Sequence, residues 1–573
     1  MDTLVEYIWN ISKIDESELM EYIQLCDVPR PLAITLLNRG IRPSQLDGFF
    51  QASLSTMTDP YRMPDMGKAV RRMWEAIQNK EKVIIHGDYD TDGVTSATLI
   101  HWVLESYGAN AEVFISNRME DGYGPTPSTM AKAKAMGASL VISSDCGITA
   151  FDAVDYANEN GIDVIITDHH NAAKRLPAAM AIVNPRVRHE LVDLHGLAGV
   201  GVAFKLCHAF VKYALKHGVK ERPIDIREAL DLVAMGTVAD VSPLIGENRS
   251  LVRNGLKLIN LRHRPGLRAL AEVAHLEGKI SPSDISRRLA PKINAAGRVG
   301  NPMVSVELLQ TNDYARAVEL AQTLERYNKR RRQAERKALK EAFQKVAHER
   351  AVSSTAALVI VGEDWHPGVI GLIATKISKE YNLPTIVLSN DSKSDELIGS
   401  GRSNPKDDIL EVLVNCDSIL SSYGGHPMAV GVSMVKASLP EFKQRFLNHF
   451  DTFHSEGHFE NNRKLFADGH VTISEFDQAF FDKYELFEPF GSAHSEPVYY
   501  LDNIYAGDIA EFGESNCHGL LHDRNGDEIS FVIYTRNKSH LPPQPWEIMA
   551  SPRIISVAGQ LTHQLLIHDL RSQ

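Results

Sequence analysis

The stretch Lys82–Gly108, KVIIHGDYDTDGVTSATLIHWVLESYG, decides the fold. It opens as a short apolar run with β-branched side chains, ends at Gly87, and resumes from Val94 as an amphipathic helix that stops at Gly108. Between the two stand Asp88, Asp90 and Asp92. The same grammar repeats downstream. AEVFISN (Ala111–Asn117), SLVISSD (Ser139–Asp145), DVIITD (Asp163–Asp168) and AMAIVNP (Ala179–Pro185) read as strands. TPSTMAKAKAMG (Thr126–Gly137) and AFDAVDYANENG (Ala150–Gly161) read as the helices between them. Short strands alternating with Gly-terminated helices predict βαβ units and a mainly parallel sheet.

Outward from that core the pattern changes several times. Residues 1–60 read as short helices broken at VPRP (Val28–Pro31), Gly40 and Pro43, and from about Leu197 to Leu270 the chain is helical. Asn312–Arg350 contains no Gly or Pro, and its apolar positions, Leu320, Leu324, Tyr327, Ala334, Ala338, Ala342 and Val346, fit one long helix of about 58 Å. The charged block NKRRRQAERK in its middle reads as a solvated face. AALVIVG (Ala356–Gly362) and YNLPTIVLS (Tyr381–Ser389) open a second α/β unit, and after Gly457 strands and turns dominate, at a size that suits a small oligonucleotide-binding barrel. The expected division is an N-terminal helical segment (1–60), a parallel-sheet domain (61–305), a connecting helix (306–352), a second α/β domain (353–455) and an all-β barrel (456–573).

A chain of 573 residues exceeds one hydrophobic core. The net charge of −12 argues against a protein that coats nucleic acid indiscriminately, while leaving room for a narrow basic channel. Five scattered cysteines, none in C-x-x-C, fit a reducing compartment and argue against a zinc ribbon or disulfide framework, so a cytoplasmic location is expected. No apolar run approaches a membrane span, and MDTLVEYIWNISKIDESELM does not read as a secretory signal.

Three strands of the first sheet end in acids: HGDYDTDG (His86, Asp88, Asp90, Asp92), SSDCG (Asp145) and TDHHN (Asp168, His169, His170). The carboxyl ends of parallel strands share one edge, where ligands bind, so these groups converge although they are far apart in sequence. One D-x-D alone is commonly a helix cap. Three such ends together imply carboxylates close enough to repel, a cost that a divalent cation removes. Oxygen ligands suit Mg²⁺ and Mn²⁺, and added imidazole tilts the choice toward Mn²⁺. Asp240, at the end of the apolar helical run DLVAMGTVAD, is a further candidate. Paired cations of this kind serve phosphoester hydrolysis, which also needs arginines to orient phosphate. Arg118, Arg298 and Arg402, in loops or beside glycine, are candidates.

HGDYDTDG, NRMEDGYG, SSDCG, TDHHN, LAGVGVAFKL, GTVADVSPL, INAAGR, WHPGVIGLIATKI, GSGRS and YGGHPMAVG stand in the order found in the DHH phosphoesterases. The chain most closely resembles the bacterial single-strand-specific 5′→3′ DNA exonucleases of that family, strongly from about Lys82 to Gly431 and more loosely in the tail. The resemblance implies a DHH domain, a long helix, a DHH-associated domain and an oligonucleotide-binding barrel. It implies two Mn²⁺ or Mg²⁺ ions, one held by Asp90, Asp145, His169 and Asp240, the other by Asp88 and Asp145 with His86. His170 matches the group meeting the scissile phosphate or attacking water, and Asp168 one that orients the histidines. Arg118, Ser400 and Arg402 match a pocket for the 5′-terminal phosphate, and Arg298 and His426 match contacts to the strand. Single-stranded DNA, a single-strand-binding protein and a helicase are the implied partners of a monomer.

Two positions depart from the family pattern. Thr91 stands where Ala is usual and Cys146 where Asn is usual; neither removes a presumed ligand. Cys146 raises the question of oxidation sensitivity. Alternative readings are a phosphodiesterase acting on short oligonucleotides or cyclic dinucleotides, and an inactive single-strand-binding scaffold. The intact ligand set speaks against the scaffold.

Overall fold

The computed structural model describes residues 7–573 except 117–121, 123, 222, 353–355, 391–393, 455–462, 514, 535 and 558–559. It comprises two compact units: Thr58–Ser242 with Asn254–Phe459, and Met1–Met57 with Pro243–Arg253 and Glu460–Gln573.

In the larger unit, strands β1 (Lys82–Gly87), β2 (Asn110–Ile115), β3 (Ala138–Ser144), β4 (Asp163–Thr167) and β5 (Ala181–Val183) form an all-parallel sheet in the order β2-β1-β3-β4-β5. Their central residues, among them Val83, Ile85, Val141, Ile142, Ile165 and Ile166, are buried, as a sheet covered on both faces requires. Register sets up the site. Gly87 lies opposite Ser144, and Ser144 opposite Thr167. The next residue of each strand, Asp88, Asp145 and Asp168, continues the ladder by donating its N–H to Ser144 O (3.3 Å), Thr167 O (2.9 Å) and Val183 O (3.2 Å). Adjacent strands are about 4.8 Å apart, so three acids start from neighbouring points on one edge. The strand order reverses at β1, which opens a crevice at that edge.

Helices α1 (Thr91–Ser106), α2 (Gly199–Lys216) and α3 (Leu230–Ala239) pack behind the sheet. From Leu230 to Val238, α3 is buried all round, which suits its apolar sequence. Helix α4 is Ala290–Val299. The long helix α5 runs from Tyr314 to Val352, 39 residues. Leu320, Ala321 and Leu324 are buried toward its start. Ala338, Ala342 and Val346 share a core with Leu358, Ile360, Trp365 and Ile373. Most of the charged block is exposed, but Glu335 is buried and pairs with Arg331 (3.1 Å) and with Lys376 (2.7 Å) on α6 (Pro367–Tyr381).

A second sheet has the order β9-β10-β8-β7-β6, from β6 (Leu358–Glu363), β7 (Thr385–Asn390), β8 (Glu396–Arg402), β9 (Ser422–His426) and β10 (Ala429–Val435). Only β6 and β7 are parallel; the rest alternate, and the β9–β10 hairpin forms an edge.

In the smaller unit, β11 (Tyr499–Phe512), β12 (Asn516–His522), β13 (Glu528–Tyr534), β14 (Trp546–Val557) and β15 (Gln560–Ser572) close into a barrel through β11–β14 pairing. Leu19, Leu32 and Leu36 from two N-terminal helices enter the same core as Phe480, Tyr499 and Trp546. The expectation of helices alone over residues 1–60 needs one amendment: Tyr7–Ile11 is a strand, paired in parallel with Arg463–Ala467. Its partner is more than four hundred residues away, so no local pattern announces it. No helix among the described residues is long and apolar enough to cross a membrane.

Candidate metal centre

Each carboxylate at the sheet edge has a distinct job, assigned by its hydrogen bonds. Asp168 is buried and its Oδ1 accepts from His169 N (2.7 Å), His170 N (3.0 Å) and His170 Nδ1 (2.7 Å), while Oδ2 accepts from Ile148 N (2.9 Å). Burial pushes its pKa up, but the bonds from His170 and the backbone outweigh burial and hold it below the ordinary value. Asp168 is therefore an anion that fixes the His170 ring through Nδ1.

Asp145 is the opposite case. It is buried in a left-handed conformation (φ 61°), and burial together with the carboxylates of Asp90, Asp88, Asp168 and Asp240 drives its pKa well above the usual range. Its Oδ1 lies 3.1 Å from His169 Nε2. Neither atom has a hydrogen-bond partner of proper geometry among the described residues, although both are buried. Two buried polar atoms aimed at a common space without bonding each other suit a cation between them. Gly199 at the start of α2 makes room: a Cβ there would sit 2.5 Å from Asp145 Oδ1.

Donor atoms gather in three overlapping groups, each within 4.8 Å: Asp88, Asp90 and Asp145; Asp145, His169 and His170; Asp92, His169 and Asp240. Asp90 also caps α1, accepting from Asp92 N (2.9 Å) and Gly93 N (3.0 Å), and burial followed by the charge of Asp240 raises its pKa. Asp240, the C-cap of α3, accepts from Ser242 Oγ (2.5 Å). Such an oxygen-rich set with imidazole fits Mn²⁺ or Mg²⁺.

Asp92, to which the sequence reading gave no role, stands in this cluster. Its carboxylate accepts from Gly199 N (2.7 Å) and Val200 N (2.9 Å), which docks α2 beside Asp145. The acid spacing in D-Y-D-T-D was the available signal. His86 stands outside the three groups: its Nε2 is hydrogen-bonded to Ser116 Oγ at 2.8 Å and its ring packs on Phe114. Cys146 is buried with Sγ 3.4 Å from Ser144 O and 4.0 Å from His86 Nδ1. Burial and the charges of Asp88, Asp168 and Asp145 push its thiol well above the ordinary cysteine value.

The second sheet faces this centre with donors. His426, on β9, stacks parallel to His170 with ring centroids 6.2 Å apart. On β8, Arg402 Nη1 donates to Ser400 Oγ (3.0 Å) and Gly401 O (2.6 Å). Arg298, on α4, donates to Gly368 O (3.3 Å). Arg118 lies outside the described residues.

A doubly wound domain with D-x-D, D and D-H-H at its strand ends, joined by a long helix to a second domain carrying G-G-H, defines a DHH phosphoesterase. The profile "DHH family, N-terminal domain" matches residues 82–237, "DHHA1 domain" matches 352–456 and "RecJ OB domain" matches 467–569. The chain is 35% identical to the single-stranded-DNA-specific exonuclease RecJ of Dickeya dadantii, over 82% of this chain and 83% of that one. It is 32% identical to the Bacillus subtilis protein of the same name, over 90% of this chain but 64% of the relative's length. The crystal structure of Thermus thermophilus RecJ in complex with Mn²⁺ superposes with a TM-score of 0.81 at 27% identity, covering 99% of this chain and 79% of that one. A structure of RecJ in complex with Mg²⁺ from the same organism shares the fold, with a TM-score of 0.73 at 24% identity and coverage of 99% and 78%. The chain belongs to the RecJ family.

Proposed function

We propose that this chain is a metal-dependent exodeoxyribonuclease that degrades single-stranded DNA from the 5′ end to mononucleotides. The observation that carries the reading is the pair of Asp145 Oδ1 and His169 Nε2, 3.1 Å apart and without a hydrogen-bond partner among the described residues, with Asp145 held above its ordinary pKa by burial and the carboxylates around it. Asp88, Asp90, Asp145, His169 and Asp240, with Asp92 at hand, would hold two Mn²⁺ or Mg²⁺ ions. Such ions, when bound, polarise a phosphoryl oxygen and lower the pKa of bound water.

The chain's own groups do the rest. Asp168 keeps the Nδ1 proton on His170, so Nε2 receives or returns a proton at the scissile phosphate or attacking water. His426, stacked beside it, and Arg298 hold the strand, and Ser400 and Arg402 with Arg118 seat the terminal phosphate. Anchoring one end sets the direction of digestion. A cytoplasmic monomer working with a single-strand-binding protein and a helicase, in DNA repair and recombination, completes the proposal.

The test is digestion of end-labelled single strands of both polarities, with and without a 5′-phosphate, in Mn²⁺, Mg²⁺ or EDTA. The expected result is metal-dependent release of mononucleotides from the 5′ end. Cleavage confined to dinucleotides, or digestion that survives EDTA, overturns it.

A further inference from the structure

We infer that Asn294 is a substrate-binding residue, and that Thr91 is the positioning residue that aims its amide at a backbone phosphate oxygen of the bound strand. This deepens the nuclease reading and rests on it.

The inference starts from an amide whose orientation is fixed. Thr91 N–H donates to Asn294 Oδ1 at 2.7 Å, and Thr91 Oγ1 lies 2.6 Å from the same atom, nearer than its second acceptor, Ala290 O, at 3.3 Å. A backbone N–H can only donate, so the atom it meets is the carbonyl oxygen, which settles the usual ambiguity of an asparagine side chain. The Nδ2 group must then point the other way, and no acceptor among the described residues takes its protons. Thr91 is fully buried, whereas Asn294 is half-buried, so the arm that holds the amide is inside and the amide itself reaches the surface. An alanine at position 91 would supply only the N–H.

The grip sits beside the metal centre in the chain. Thr91 directly follows Asp90, whose carboxylate stands in the metal centre. Helix α4 is locked to this loop at a second place: Tyr89 packs on Gly297 so closely that a Cβ there would come within 2.4 Å of the Tyr89 ring. Arg298 follows Asn294 by four residues on α4, and i, i+4 positions share a helix face. Asn294 and Arg298 thus share one face of α4, and through Thr91 the amide is tied to the residue that follows Asp90. A neutral donor beside the carboxylates gives a phosphate oxygen a partner there, at a place where an added lysine or arginine would pair with the acids instead. Hydrogen bonds to anionic oxygens are the strong kind.

The experiment compares Asn294→Asp, Thr91→Ala and the wild-type full chain. Asn294→Asp retains an oxygen for Thr91 to hold and replaces the outward donor with an acceptor. The readouts are KM and kcat on a 5′-phosphorylated single strand, equilibrium binding of a phosphorothioate-linked strand, and Mn²⁺ affinity measured calorimetrically without DNA. The expected result for Asn294→Asp is a loss of strand binding and a rise in KM of about tenfold or more, the scale of one charge-assisted hydrogen bond, with Mn²⁺ affinity and melting temperature kept. Thr91→Ala shows the same pattern with a smaller rise, because one arm of the grip survives; it also serves as the test should Asn294→Asp not fold. Wild-type KM in both variants, or a fall in Mn²⁺ affinity that matches the fall in strand binding, overturns the inference, the latter by making Asn294 only a brace for Asp90. A wild-type chain that leaves single strands intact would instead sink the nuclease reading itself.

Discussion

The two sheets of the larger unit offer opposite chemistry. At the edge of the parallel sheet, acids and imidazoles crowd behind strands whose register delivers them side by side, and Asp145 and His169 keep atoms that no described residue satisfies. On the antiparallel sheet, Ser400, Arg402 and His426 are donors, and Arg402 already has hydrogen-bond partners of its own. The difference teaches what each region lacks. The first is a cluster of buried acids whose repulsion a cation would relieve; the second is a donor surface whose Arg402 is held by hydrogen bonds to its own strand. Substitutions should therefore affect stability in opposite senses.

The largest effect is expected at Asp145. Asp145→Asn should reduce turnover by at least about 10³-fold, because several kcal/mol of metal-derived stabilisation is lost. In EDTA the same variant should melt higher than wild type at neutral pH. The sign follows from the raised pKa: above the ordinary carboxylate range the folded state still holds a proton that the unfolded chain has released, so stability falls as pH rises toward the folded pKa. An amide has no such slope, and the two proteins should converge near pH 4. Melting curves across that range check it. A variant less stable than wild type at neutral pH without metal would mean that Asp145 is already compensated, and the contrast between the sheets would fail.

At the second sheet a smaller and different loss is expected. Arg402→Ala should weaken binding of 5′-phosphorylated strands by roughly 10- to 100-fold, the worth of one charged hydrogen-bond partner, while strands ending in 5′-hydroxyl lose little. Metal affinity should not change. Competition binding with the two kinds of end, alongside Mn²⁺ titration, separates the outcomes. Equal loss for both ends would reassign Arg402 to general strand contact.

Much of this division can be read in the sequence, and the limits are instructive. The alternation of β-branched runs with Gly-terminated helices is a local signal, so the parallel sheet and the 39-residue helix were legible. Strand order and register depend on pairings between distant segments, so sequence can say that Asp88, Asp145 and Asp168 share an edge but not that they extend one continuous ladder. His86 and Asp92 show the same limit inside one motif. His86 still lies within β1, where its ring packs on Phe114, whereas Asp92 lies past the strand end and turns toward the N-terminus of α2. Both are ionisable residues of one short motif, and only the tertiary fold distinguishes their directions. Tyr7–Ile11 was invisible for the same reason, its strand partner being at the far end of the chain.

The smallest effect is expected at Cys146, and it tests how closed the cluster of acids is. A thiol beside clustered carboxylates suggests a redox-sensitive site, but reactivity belongs to the thiolate and needs access. Cys146 has neither. It is 1% exposed, and burial with three neighbouring carboxylates pushes its pKa well above the ordinary cysteine value. Of the five cysteines, Cys26 alone is not buried. Brief treatment of the native protein with iodoacetamide at neutral pH should therefore label Cys26, spare Cys146 and leave nuclease activity unchanged. Peptide mapping after denaturation identifies the labelled positions. Labelling of Cys146 in EDTA but not in Mn²⁺ would show that repulsion among the acids opens the centre when cations are absent, whereas labelling in both would show an edge far looser than its buried, unpartnered atoms imply.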